Sequence, residues 1–194
     1  MAKEGSPSTA YLVDTVPEVP FYIPATGPAT RPRRTLKYDD TFAVVDSYGD
    51  IGALGGGPDG IFHADTRYLS HLEMLVNGMQ PLLLGSNVRD DNAVLTVDLT
   101  NPDIYFNNHL SLPKDTVHIL RTMFLWREIA YVRFALQNHG DTSIDLNLSL
   151  AFANDFADLF EVRGLRRERR GTASSQVGGR DEIKIGRASC RERV

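Results

Sequence analysis

The strongest constraint on this chain is strict alternation late in its sequence. Ile144, Leu146, Leu148, Leu150 and Phe152 are apolar, and Asp145, Asn147, Ser149 and Ala151 separate them. A period of two puts the apolar set on one face of an extended strand, whereas a helix would scatter it. Val132, Phe134 and Leu136 alternate with Tyr131, Arg133 and Ala135 in the same way. Asn138-His139-Gly140-Asp141 lies between the two runs and is rich in turn formers, so the sequence predicts a hairpin joining them.

The rest of the chain follows this pattern. Val117–Trp126 is expected to form a strand beside the first pair. Asn77-Gly78 sits between Leu72–Val76 and Pro81–Leu84, a pairing that predicts a second hairpin. Ala93–Leu99 and Thr41–Asp46 add further strands, and Gly52–Gly60 reads as a flexible loop. No segment carries the period of an amphipathic helix. Short strands with frequent turns predict an all-β fold, an antiparallel β-sandwich or barrel. Residues 1–34 hold six prolines, at positions 7, 17, 20, 24, 28 and 32. That spacing forbids helix and central strand, so a Pro-rich extended leader is expected there.

Charge excludes one class of partner. Residues 1–162 hold 11 Lys and Arg against 21 Asp and Glu, a net of −10. Residues 163–194 hold 10 against 4, a net of +6. Nucleic-acid binding needs clustered Lys and Arg, and an acidic body does not supply them. The basic run Arg163–Arg170 lacks the interleaved aromatics of a single-strand binder. No apolar run reaches the roughly 18 residues of a membrane helix. The opening Met1–Pro7 lacks the apolar stretch of a secretory signal, so a cytoplasmic protein is expected.

The last ten residues stand apart. Ile185-Gly186-Arg187-Ala188-Ser189-Cys190-Arg191-Glu192-Arg193-Val194 is the translation of ATC GGA AGA GCG TCG TGT AGG GAA AGA GTG, which resembles a common sequencing adapter. Residues 185–194 are therefore expected to be adapter-derived, with the natural sequence reaching about Lys184. Cys190 is the single cysteine, so on this expectation the natural part has neither disulfide nor cysteine metal site.

Three polar clusters invite a chemical reading. In His63-Ala64-Asp65-Thr66-Arg67, a strand would place Asp65 and Arg67 on one face. There they form an ion pair at a loop-to-strand junction or grip a sugar hydroxyl. Asn154–Gly164 carries Asp155, Asp158 and Glu161 among Phe156, Leu159 and Phe160. Glycosidases use two carboxyls roughly 5 to 9.5 Å apart, but these local, aromatic-flanked acids read better as an interface segment. Arg163–Arg170 reads as a solvated loop. The five histidines, at 63, 71, 109, 118 and 139, show no metal-ligand spacing. Gly55-Gly56-Gly57 lacks a phosphate loop's lysine, and no GxSxG frames a nucleophile.

Five segments carry a resemblance to a known family. They are Leu36–Val44, Gly60–Ser70, Asn87–Asn92, Val97–Asp103 and Asp155–Gly164, in that order, spanning about residues 36–171. Together they resemble the N-terminal domain of prokaryotic-type glycogen-debranching, amylo-α-1,6-glucosidase-like enzymes. The resemblance implies a supersandwich-like β-sandwich over residues 35–184, lacking its last strands. It implies a following (α/α)6 barrel that supplies the catalytic carboxylates. No catalytic residue, metal or cofactor is then expected on this chain, and the fragment alone should be inactive. Asp65, Arg67, Asp155, Asp158, Glu161 and Arg163 are expected at the domain interface or the mouth of the cleft. The expected partners are the catalytic domain and α-glucan. An independent carbohydrate-binding module is the alternative, but the neighbours Phe124 and Leu125 predict that Trp126, the lone tryptophan, is buried.

Overall fold

The computed structural model describes residues 31–52, 57–165 and 172–188. The Pro-rich leader up to residue 30, most of the Arg163–Arg170 run and Cys190 lie outside the described residues.

Antiparallel strands dominate, as the alternation requires. The first sheet has the order β1-β2-β3-β4, formed by Arg34–Tyr38, Thr41–Val45, Gly60–His63 and Thr66–Leu69. The second has the order β11-β10-β7-β6. Its strands are β6 (Leu82–Val88), β7 (Val94–Thr100), β10 (Val117–Trp126) and β11 (Ile129–Asn138). A third, two-stranded sheet pairs β5 (His71–Val76) with β12 (Leu148–Ala153). Two hairpins complete the set, β8–β9 (Ile104–Phe106, His109–Leu112) and β13–β14 (Thr172–Val177, Ile183–Ala188). The one helix among the described residues, α1, is the single turn Leu159–Val162.

Alternation places the core. Leu36, Ala43 and Val45 of the first sheet meet Leu95, Val97, Leu99, Ile119 and Met123 of the second, and Leu72, Met74 and Val76 of β5 join them. Each of these is at most 8% exposed. Burial of such side chains contributes about 1.5–3 kcal/mol apiece. The architecture is an all-β, antiparallel sandwich, as the sequence predicted.

Two hairpin expectations need correction. β11 does not pair with the Ile144–Phe152 run. It pairs with β10 over its full length, from Val117↔Asn138 to Trp126↔Ile129. The turn after Asn138 does form, with the Gly140 amide donating to the Asn138 side chain at 2.8 Å. The chain then crosses to the third sheet, where only Leu148–Ala153 is strand and pairs with β5. Ile144 and Leu146 pack on the core from irregular backbone. Period two fixes which face is buried, but says nothing about which edge a strand pairs along.

The Asn77-Gly78 turn also forms, with φ of 48° and 77° and reciprocal backbone bonds between Val76 and Met79 at 2.8 and 2.9 Å. These values suit the two-residue turn that favours Asn-Gly. The flanking strands nevertheless part, β5 to the third sheet and β6 to the second. Pro81 lacks an amide to extend the ladder.

β14 crosses the boundary at which the adapter-like tail was set apart. Its ladder with β13 runs through Ser175↔Ile185 to Thr172↔Ala188.

Candidate functional site

Three turns and one crossover segment meet at one end of the sandwich. The β3–β4 turn is Ala64-Asp65, with φ of 44° and 63°. The Ala64 amide donates to the Asp40 carbonyl of the β1–β2 turn at 3.3 Å, and the Leu159 amide donates to the Asp65 carbonyl at 2.9 Å. Thr66 bridges Asp158. This corrects the expectation that Asp65 and Arg67 share a strand face. Asp65 belongs to the turn and is exposed, while Arg67 points from β4 to another partner.

That partner is Asp155, 88 residues away in sequence. Arg67 Nε donates to Asp155 Oδ1 at 3.0 Å, and Nη2 donates to Oδ2. Nη1 donates to the carbonyls of Gly57 and Asp59 at 3.0 and 3.1 Å. The two-pronged pairing matches the planar fork of a guanidinium to a carboxylate. Gly60 lies beneath it: a Cβ there would meet Arg67 Cδ at 2.5 Å and the Leu69 carbonyl oxygen at 2.9 Å.

The other acids of this segment hold its backbone. The Asp158 side chain accepts from the Phe160 amide at 2.8 Å, and Glu161 accepts from the Asp158 amide at 3.0 Å. This reciprocal box starts α1, and the exposed Arg163 ends it as C-cap. Phe156, at φ 46°, meets Tyr68 edge-on at 5.7 Å. Asp65, Arg67, Asp155, Asp158, Glu161 and Arg163 thus lie in one neighbourhood, built around an ion pair and a capping box.

Beside them opens a cleft of 250 Å³ that the sequence did not single out. It is lined by Tyr38, Asp39, Asp40, Thr41, His63, Arg127 and Glu128. The His63 ring is fixed by a 2.9 Å bond between Nδ1 and Thr41 Oγ1, leaving Nε2 4.0 Å from Glu128 Oε2. Arg127 and Glu128 come from the β10–β11 turn of the opposite sheet. No local signal marked them, because strand pairing alone brings that turn to His63. The Arg127 guanidinium lies over the Trp126 ring, 4.7 Å from its centroid. Trp126 is 45% exposed, which corrects the expectation of burial. Its place at the strand end, next to the turn, removes the packing neighbours that Phe124 and Leu125 suggested.

Among the described residues, no group of three or more His, Cys, Asp or Glu is placed to hold a metal ion, and no helix is long and apolar enough to cross a membrane. No curated protein and no solved structure matches the chain. Residues 36–194 match the family described as the N-terminal domain of (some) glycogen debranching enzymes. That match covers every segment that carried the resemblance, and the chain belongs to this family of glycogen-debranching-enzyme N-terminal domains.

Proposed function

We propose that the chain is a non-catalytic accessory domain of a glycogen-debranching glycoside hydrolase, packing against a helical (α/α)6 catalytic barrel. The carrying observation is the exposure of β12. Leu150 and Phe152 alternate as core residues should, yet they are 45% and 41% exposed. They line an apolar groove of 550 Å³ with Val177 and Ile183, and with Ile185, the first residue of the adapter-like tail. Apolar surface of this kind marks an interaction site. Asp155, Asp158 and Glu161 support the same reading, since their carboxylates are engaged in pairing and capping rather than facing each other across a substrate.

The test has two parts. The purified chain should release no glucose from limit dextrin, and measurable turnover would sink the non-catalytic role. Leu150→Asp with Phe152→Asp should abolish co-purification with the separately expressed catalytic domain. Retained association would overturn β12 as the docking surface.

The exposure of Trp126 favours a second reading, a carbohydrate-binding module for α-glucan. Its ring, 6.4 Å from that of the half-buried Tyr131, presents aromatic surface to solvent, where sugar faces stack.

A further inference from the structure

The third sheet ends in a strand with a bare edge. β12 pairs with β5 on one side, and among the described residues no strand pairs with it on the other. The register shows which backbone groups face that edge. Leu72 of β5 turns away from β12 and exchanges bonds with Ile51 at 2.8 and 3.0 Å. Val76 turns away likewise, to Met79, at 2.8 and 2.9 Å. Bonded and non-bonded pairs alternate along an antiparallel ladder. Leu148, Leu150 and Phe152, which stand opposite Val76, Met74 and Leu72, therefore direct their amides and carbonyls to the free edge.

The groove of 550 Å³ beside β12 follows this edge. The successive residues Leu150, Ala151, Phe152, Ala153 and Asn154 all line it, whereas a strand face would present every second one. Asn154 Nδ2 is buried there without a partner among the described residues. Val177 and Ile183 wall the far side. A bare edge beside an apolar groove accepts an extended segment, whose backbone extends the ladder while its side chains fill the groove. Leu148–Ala153 carries no charge, so the fitting segment is extended, largely apolar and free of proline.

The chain holds one such segment outside the described residues. Prolines recur every three or four residues from Pro17 to Pro32, but none lies between Pro7 and Pro17. The stretch Ser8-Thr9-Ala10-Tyr11-Leu12-Val13-Asp14-Thr15-Val16 is rich in the residue types that favour strands. With period two, Thr9, Tyr11, Val13 and Thr15 share one side, and Asp14, its one charge, falls on the other.

Reach favours the same segment. Arg31 Nη1 donates to Asp46 Oδ2 at 2.6 Å, and Nη2 donates to Gln80 Oε1 at 3.0 Å. Gln80 follows Met79, which bridges Val76, and Val76 stands opposite Leu148. The leader thus joins the fold at the Leu148 end of β12. Residues 17–30 separate Val16 from Arg31. At ~3.1 Å per residue they reach about 43 Å, against about 20 Å for the whole of β12.

We propose that Ser8–Val16 adds to the free edge of β12 as an edge strand, with Tyr11 and Val13 in the groove beside Leu150 and Phe152. The leader then guards an edge that is otherwise open to pairing with other chains. The pairing is made by the backbone edge of β12 and does not rest on the docking of a catalytic domain, which the enlarged sheet meets with its apolar face.

Amide exchange reads the pairing directly. In the 194-residue chain, the Leu150 and Phe152 amides should exchange at least ~tenfold more slowly than in the double variant Tyr11→Asp, Val13→Asp. The Ile119 amide, in the middle of the second sheet, should be equally protected in both, which shows that the variant is folded. A synthetic peptide of residues 8–16, added in excess to the double variant, should restore the protection saturably. Fast exchange at Leu150 and Phe152 in both proteins, or equal protection in both, would overturn the pairing. Protection that rises with protein concentration would assign the edge to a second copy of the chain and overturn it as well. Association with the catalytic domain is measured separately, so the docking reading and this one can each fail alone.

Discussion

Asp50 and Arg121 form an ion pair inside the sandwich, with Arg121 Nη1 2.6 Å from Asp50 Oδ1 and both side chains at most 2% exposed. Arg121 occupies an inward position of β10 where the alternation calls for an apolar residue. Its Nη1 also donates to the Tyr48 carbonyl at 3.0 Å. Asp46 completes the loop by accepting from the Tyr48 and Asp50 amides at 2.8 and 2.9 Å. The pair therefore ties the loop after β2 to the centre of the second sheet.

Removing one partner leaves a buried, uncompensated charge, which costs about 3–5 kcal/mol. Arg121→Met is expected to lose that much in urea unfolding. Burial raises the Asp50 carboxyl above its ordinary 3.8, and Arg121 opposes the shift. With Arg121 gone the folded-state value rises further. A raised folded value means the folded state binds the proton more tightly. The variant should regain stability as pH falls towards 3.8 and lose it as pH rises through the folded value. A flat pH profile would contradict this.

Gly60 and Arg67 give a steric prediction. Gly60→Ala drives a methyl into Arg67 Cδ and the Leu69 carbonyl oxygen, and the carbonyl cannot swing aside. Overpacking of this kind costs about 1–3 kcal/mol. Arg67→Lys keeps the charge but loses the two-pronged bond to Asp155. If Gly60→Ala acts through Arg67, combining the two should cost less than the sum of the singles, and strict additivity in the double-mutant cycle would count against it.

Asn101 is fully buried and anchors the excursion that carries β8–β9. Its Nδ2 donates to the carbonyls of Pro102 and Pro113 at 2.8 and 2.7 Å, and Oδ1 accepts from the Val117 amide at 2.7 Å. Asn101→Ala strands these groups at about 1–3 kcal/mol for each left unsatisfied. Its thermal midpoint should fall by several degrees, with early loss of amide-exchange protection at Val117. Wild-type protection at that amide would refute the anchor.

Asp91 sits at an exposed turn, yet its carboxyl is held at about 2 by hydrogen bonds from Arg89 and the Ala93 amide. A lowered value favours folding above the ordinary 3.8, and this contribution disappears as pH falls through about 2. Carboxyl carbon titration by NMR should find this low midpoint, and Arg89→Ala should raise it towards 3.8. Ionic strength should shift it as well, because the pair is open to solvent.

The tail from Ile185 gives a prediction in DNA. If residues 185–194 are adapter-derived, the genomic sequence departs from the encoded one just after the Lys184 codon. A genomic match through Val194 would show that β14 and the end of the family match are native sequence.

How much of this was written in the chain can be told element by element. Period two alone marked Val132–Leu136 and Ile144–Phe152 as strands, because a pleated strand presents alternate side chains to one side whatever it pairs with; of the second run only Leu148 onward is strand. Asn77-Gly78 gave its own turn, because its two left-handed residues are a local requirement. The motif residues Asp65, Arg67, Asp155, Asp158 and Glu161 were visible as clusters. Their roles were not, since the Arg67–Asp155 pair joins segments 88 residues apart.

What the sequence determined, then, was faces and turns: backbone sterics and side-chain alternation act between near neighbours and need no knowledge of the rest of the fold. The tertiary structure decided edges and meetings. It sent β12 to β5 rather than β11, placed Arg121 opposite Asp50, and carried Arg127 and Glu128 to His63. Strand edges offer the same amides and carbonyls to any partner, so the choice among them rests on how the whole core packs, which no short stretch of sequence contains.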